Sequence, residues 1–277
     1  MAMKRPPIPE LRPFVAVVWS EETPVCKAYD QPIREHALPT GAMHLVFRLT
    51  DAPLRILIED ADHVDAQTIA ESMVGGARSR FYVRELSAPS CSVGAVLRPG
   101  AAELLFGASA EELAERHTPL GELWGASAHA LRNRLLDTDG PEARLKALEG
   151  ELAARLPRLR CLHPAIASVI DEMPSLRSVE IAVQRSGLSH RHFIAQFRRT
   201  VGLPPKVYLR ILRFQKALRS LHHDGTGGGL AALAADAGYS DQAHFNRDFL
   251  EFTGITPAAY AARSPRQSNH LPVADIT

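Results

Sequence analysis

Three cysteines in 277 residues, Cys26, Cys91 and Cys161, are too few and too scattered for a disulfide scaffold or a Cys-x-x-Cys zinc ribbon. They fit a reducing compartment, so a cytoplasmic location is expected. Aromatic residues make up only 6%, and no run approaches the roughly 18 apolar residues of a membrane span. The stretch Phe14 to Trp19 is too short for a secretory h-region, and Pro6, Pro7, Pro9 and Pro13 interrupt the residues before it. No membrane partner is expected. A Gly-x-x-x-x-Gly-Lys phosphate loop, a Gly-x-Ser-x-Gly elbow and a Cys–His nucleophile context are all missing. Excess charge is missing too: 32 Lys+Arg against 31 Asp+Glu leave a net +1, which taken whole argues against a nucleic-acid binder.

What is present begins with an average globular composition, 45% hydrophobic and 23% charged, and with room for about two domains. The balanced charge conceals a division. Residues 1–162 hold 19 bases and 22 acids. Residues 177–219 set Arg177, Arg185, Arg191, Arg198, Arg199, Lys206, Arg210, Arg213, Lys216 and Arg219 against the single acid Glu180. Such a local excess is an electrostatic footprint for a polyanion. From 220 to 263 the sign turns again, with Arg247 and Arg263 against Asp224, Asp236, Asp241, Asp248 and Glu251.

The first hundred residues read as short strands, 14–19, 44–49, 54–59, 79–86 and 91–97, separated by Pro, Gly, Asp or Thr punctuation. This spacing suggests an antiparallel sandwich or small barrel. Beyond Pro99 and Gly100 the periodicity becomes helical, and Ser109 precedes Glu112 at the capping-box spacing. Leu145, Leu148, Leu152 and Leu156 form a narrow apolar stripe. It either packs against the β domain, the commoner use, or serves as a dimer seam. The expected fold is α+β: a β-rich sensor domain over 1–108, a helical connector over 109–160 with possible dimerisation helices, an all-α domain over 161–263, and a flexible tail over 264–277.

The all-α part contains a repeat. A shift of 52 aligns His192, Phe193, Phe197, Gly202, Pro205 and Tyr208 with His244, Phe245, Phe249, Gly254, Pro257 and Tyr260. Each copy has helix-turn-helix anatomy. Ser178 can cap a helix carrying Val179, Ala182 and Val183, Gly187 permits a left-handed turn, and Ser189 caps the next helix. In the second copy Leu230, Leu233 and Ala234 form the inner face, Gly238 turns, and Asp241 or Ser240 caps. The Phe pairs at i and i+4 are buried, leaving the opposite faces free for a groove.

These strings, "SGLSHRHFIAQF", "VYLRILRFQKAL" and "LAADAGYSDQAHFNRDFLEFTGITPAAY", resemble the DNA-binding domain of the AraC/XylS family of transcription regulators. The resemblance implies units over 163–205 and 223–263 joined by a long helix over 206–222, entering successive major grooves of double-stranded DNA. By alignment, base-edge positions fall at Ser189, His190, Arg191, Ile194 and Ala195, and at Gln242, Ala243, Asn246 and Arg247. Arg suits guanine, Gln or Asn suits adenine. Arg198, Arg199, Lys206, Arg210 and Arg213 are assigned to phosphates. His192 and His244 each precede a core Phe, which favours packing or a phosphate contact over metal binding.

"LPTGAMHLVFRL" (38–49) and "LRPGAAELLFGASAEELAERHTPLGELWG" (97–125) resemble an N-terminal domain of uncharacterised role that recurs ahead of this module. The resemblance implies a cupin-like sensor or dimerisation unit. Trp19, His44, Phe47, Phe81 and Tyr82 could line an effector pocket or simply fill the barrel core. A metal-dependent cupin enzyme would need several His and a carboxylate converging; His36, His44 and His63 exist without a His-x-His pair. The reading is therefore a regulator rather than an enzyme, with no catalytic residues, metal or cofactor. Its partners are DNA, an unknown small-molecule effector, RNA polymerase in the case of an activator, and a second copy if it dimerises. The alternatives are a non-regulatory architectural DNA-binding protein and a cupin enzyme fused to a DNA-binding module.

Overall fold

The computed structural model describes residues 2–23, 33–50, 54–60, 63–86, 90–157, 164–225 and 228–273. Cys26, Cys161 and the side chain of His63 lie outside the described residues. The fold is α+β, with two antiparallel sheets in the N-terminal part and a helical C-terminal domain. The first sheet runs β1 (Ala2–Arg5), β2 (Val15–Thr23), β9 (Ser90–Leu97), β4 (Met43–Arg48), β7 (Ser72–Gly75), β10 (His117–Pro119). The second runs β11 (His270–Pro272), β3 (Ile33–Ala37), β8 (Tyr82–Leu86), β5 (Leu54–Asp60), β6 (His63–Ile69).

All five strands expected from the sequence form. β3 and β6 escape a hydrophobicity reading because "IREHA" and "HVDAQTI" interleave apolar with charged or polar residues. β10 sits within a stretch read as helical, and it completes the first sheet beside β7. The β-rich unit therefore runs past the expected boundary at residue 108.

The period of two along a strand assigns each sheet face its own surroundings. On one side of the first sheet, Leu45, Phe47, Val93 and Ala95 are fully buried in the main core. That side is covered by α1 (Ala101–Phe106), α2 (Ala110–Leu113), α3 (Leu120–Trp124), α4 (Ala126–Leu136) and α5 (Pro141–Arg155). Leu145, Leu148 and Leu152 of α5 and the adjoining Leu156 are buried there, with α5 against β2 and β9, so the stripe is a packing face and not a dimer seam. The capping box at α2 forms as its spacing predicts. The opposite side of the first sheet meets the second sheet, where Val46 packs with Leu54, Ile56, Ile69 and Met73.

The C-terminal domain comprises α6 (Pro164–Glu172), α7 (Val179–Ser186), α8 (His190–Val201), α9 (Pro205–Asp224), α10 (Leu230–Ala237), α11 (Gln242–Thr253) and α12 (Pro257–Arg263). Beyond α12 the chain is not a free tail through residue 273. It returns to the N-terminal part as β11, which pairs with β3 and buries Leu271 completely. Tyr260 donates its hydroxyl to Ser268 O at 2.8 Å, and Gln215 reaches Asn269 Oδ1 at 2.7 Å. A sequence reading misses this because "HLP" alone carries too little apolar character to announce a strand.

Candidate nucleic-acid interface

The two halves of the C-terminal domain repeat one construction. Gly187 (φ 66°) and Gly238 (φ 90°) end α7 and α10 in the left-handed region, where a side chain would be strained. Ser189 and Asp241 then cap α8 and α11 by accepting the N–H of His192 (3.4 Å) and His244 (2.7 Å). Ser178 stands at the start of α7 without a capping bond to the backbone; its hydroxyl instead bonds the Glu180 carboxylate, which holds that group below its usual pKa. Phe193 and Phe197 pack tilted at 5.6 Å, Phe245 and Phe249 edge-to-face at 5.5 Å, and all four are fully buried. The joining helix α9 spans 20 residues, about 30 Å. Its Tyr208 meets Phe197 of the first unit, and its Phe214 meets Phe249 and Phe252 of the second.

With their aromatic faces buried, α8 and α11 turn other residues outward. Ser189, His190, Arg191 and Ala195 are exposed and Ile194 is half-buried; Gln242, Ala243 and Arg247 are exposed. Asn246 is half-buried, and its Oδ1 is buried with no hydrogen-bond partner among the described residues. His244 packs edge-on against Tyr239 at 5.2 Å.

The expected phosphate contacts divide. Lys206 is exposed at the start of α9, and Arg213 donates to Arg177 O at 2.5 Å. Arg210 is corrected: it is bound within the domain, its guanidinium held by Asp248 and Glu251 at 2.8 and 2.6 Å and lying over Phe252. Arg198 and Arg199 are exposed but engaged with the acidic N-terminal part, at Glu111 (2.8 Å) and Glu103 (2.6 Å). The same end of α8 is seated on α2, where a Cβ on Gly202 would lie 2.8 Å from Ala110 O.

A profile described as "Helix-turn-helix domain" matches residues 182–263, both units together. The C-terminal domain is thus of the AraC/XylS helix-turn-helix type. A profile for a domain of unknown function (DUF6597) matches residues 3–119. An "Uncharacterized HTH-type transcriptional regulator" of Haemophilus influenzae is 24% identical over 99 residues, covering 36% of this chain and only 33% of that protein. Among solved structures, ToxT from Vibrio cholerae is similar at a TM-score of 0.47 and 11% identity, over 94% of this chain and 98% of that one. The xylose-binding transcription activator XylR is similar at a TM-score of 0.31 and 19% identity, over 50% of this chain and 38% of that one.

The five residues expected to line an effector pocket separate by sheet face. Trp19, His44 and Tyr82 face the space between the sheets, by register with Gly94, Val96 and Ala37. Phe47 does not: it lies in the helix-covered core, 6.5 Å from Trp124. Nor does Phe81, which stacks on His36 at 4.2 Å against Gly254 of the second unit. His36 itself bonds Thr253 O through Nδ1 at 2.8 Å. His36 thus lies on the outer side of the second sheet and His44 between the sheets, so they do not converge as cupin metal ligands would. Among the described residues no group of three His, Cys, Asp or Glu side chains could hold a metal, and no helix is long and apolar enough to cross a membrane.

The inter-sheet groups are electrostatically tense. Burial, reinforced by the charges of His270, Arg84 and Lys4, pushes His44 down to about 4. Burial and the charges of Arg78, His44 and Arg84 push His117 down to about 3. Glu35 resists burial through His270 and Arg84 and is held down at about 2. Because an unfolded histidine titrates near 6.5, the neutral folded His44 and His117 contribute stability that is fully present above pH 6.5 and fades as pH falls toward 4. Unfolding free energy should therefore fall steeply between pH 6.5 and 4.5, by on the order of 2 kcal/mol per histidine, with thermal midpoints falling alongside, and H44Q or H117Q should flatten that slope. A slope unchanged in both variants would contradict the assignment.

Proposed function

We propose that this protein is a sequence-specific DNA-binding transcription regulator whose two helix-turn-helix units enter successive major grooves. The carrying observation is the duplicated unit on a rigid stave: two capped helices with exposed polar faces, fixed at the ends of one helix about 30 Å long. That length is close to the ~34 Å repeat of B-DNA. Arg191, Gln242 and Arg247 would meet base edges, while Arg198, Arg199 and Lys206 would meet phosphates. The first unit carries the positive excess and so supplies most of the affinity; the second, with its acids, supplies selectivity.

Regulation would act through the N-terminal domain. Arg198 and Arg199 already hold Glu111 and Glu103, so phosphates must displace two carboxylates. Whatever separates α8 from α1 and α2 would then strengthen DNA binding.

The test is binding to DNA from the promoter region of the neighbouring genes and to a scrambled duplex. Arg247→Ala should lose about tenfold on the specific site and little on the scrambled one. Equal losses on both would contradict the division of labour. If the wild type itself prefers neither duplex, the architectural alternative gains.

A further inference from the structure

We propose that the β-sandwich fixes the spacing between the two recognition helices, so that the full chain selects DNA sites by the number of base pairs between their half-sites. His36 is the positioning residue at the second unit. This selection presupposes the DNA-binding reading above. At the shift of 52 that relates the units, Gly202 corresponds to Gly254. Both are left-handed, at φ 90° and 78°, which suffices to end α8 and α11. Helix termination does not require what surrounds them. A Cβ on Gly202 would lie 2.8 Å from Ala110 O, and one on Gly254 would lie 3.1 Å from His36 Cε1 and 3.2 Å from Phe81 Cζ. Each glycine is therefore also a point of close approach to the N-terminal domain.

Both points carry a hydrogen bond. The last carbonyls of a helix have no partner within it. Thr200 O, in the last turn of α8, accepts Gly100 N at 2.9 Å, and Thr253 O, at the end of α11, accepts His36 Nδ1 at 2.8 Å. A carbonyl can only accept, so Nδ1 carries the proton. His36 is buried and stacks on Phe81 at 4.2 Å. Between the two points the joining helix is gripped as well. Gln215 donates to Pro39 O at 2.8 Å and to Asn269 Oδ1 at 2.7 Å, and Tyr208 lies against Gly41, where a Cβ would fall 3.0 Å from its ring.

The gripping residues come from opposite sides of the sandwich. Gly100 and Ala110 belong to the helical layer over the first sheet, His36 to the outer side of the second, and Pro39 and Gly41 to the segment crossing from β3 to β4. The thickness of the sandwich is thus transferred to the distance between α8 and α11. Packing on α9 alone leaves each unit able to pivot on its side chains; attachment of both units to one sandwich removes that freedom. One added base pair moves the second half-site by about 3.4 Å and turns it by roughly 35°. The His36 bond stands at 2.8 Å and lapses beyond about 3.5 Å. The second unit cannot follow such a shift without leaving His36.

The test uses the full chain. A duplex is first selected from a pool randomised over about three helical turns, its two half-sites are located by footprinting, and a series is made with one or two base pairs inserted or removed between them. Wild type should bind the parent duplex at least about tenfold more tightly than any member of the series. H36F keeps an aromatic ring against Phe81 but loses the donor, and its preference should shrink to about threefold or less. H36N restores a donor and should restore the preference. Misfolding lowers binding to every duplex by one factor, so the ratio between spacings reports geometry alone. Should H36F not fold, F81A removes the contact with Gly254 from a half-buried side chain and should flatten the ratio likewise. A wild type indifferent to spacing, an H36F chain (or, in its place, F81A) as discriminating as wild type, or an H36N chain as indifferent as H36F overturns the proposal. A pool that yields no enriched duplex overturns the sequence-specific reading as well.

Discussion

Replacing Arg198 and Arg199 together by alanine is expected to weaken binding to every duplex, specific or scrambled, on the order of a hundredfold, and to lower the salt slope by about two. Guanidinium–phosphate contacts are charge-assisted and carry no base information, which is why the loss should be uniform. The companion variant should move the other way. Removing the competing carboxylates in an E103Q/E111Q chain leaves both arginines without their intramolecular partners. Exposed ion pairs are individually weak, so the gain should be only about three- to tenfold, and it should vanish at high salt. Fluorescence anisotropy over a series of salt concentrations reads both effects. Should the acid-to-amide chain bind no more tightly than wild type, the N-terminal domain does not compete for this helix.

The second large effect concerns stability. Gly76→Ala should lower it by about 3 kcal/mol or more and the melting temperature by roughly 10 °C. A Cβ at Gly76 would fall 1.7 Å from Leu113 O and 2.6 Å from Leu113 C, both backbone atoms at the end of α2. The neighbouring backbone cannot retreat freely, because Gly76 N donates to Arg116 O at 2.9 Å and Glu115 N to Ala77 O at 3.0 Å. Gly150→Ala is the natural control: it lies within α5, a Cβ there would meet nothing within 4 Å, and a small gain is expected from helix propensity. Thermal unfolding followed by circular dichroism compares the two. A Gly76→Ala chain melting within a degree or two of wild type would show that this crossing yields more readily than its geometry implies.

The helix-turn-helix units were legible from sequence because their rules are local. A cap, a left-handed glycine and a Phe pair four residues apart all act within one turn of chain, and duplication writes the message twice. The partners of Arg210 lie 38 and 41 residues away and those of Arg199 lie 96 away, and no spacing rule reaches that far. An exposed, phosphate-seeking arginine and an internally paired one look alike in a string of letters. The effector-pocket expectation divided for a related reason. Alternation says which residues share a strand face, but only the sheet stacking says which face is dry core and which looks across at the other sheet. Phe47 fell on the first and His44 on the second.

The return of the chain into the N-terminal sheet as β11 makes the two halves inseparable by a single cut. A fragment ending near residue 160 would keep every recognisable sensor element yet expose the length of β3 as an open edge, the kind of edge that recruits strands from other molecules. A fragment ending at Arg263, just after the second DNA-binding unit, would do the same. The short segment beyond the helices thus acts as a clasp, and losing it would convert a self-contained molecule into one prone to edge-to-edge association.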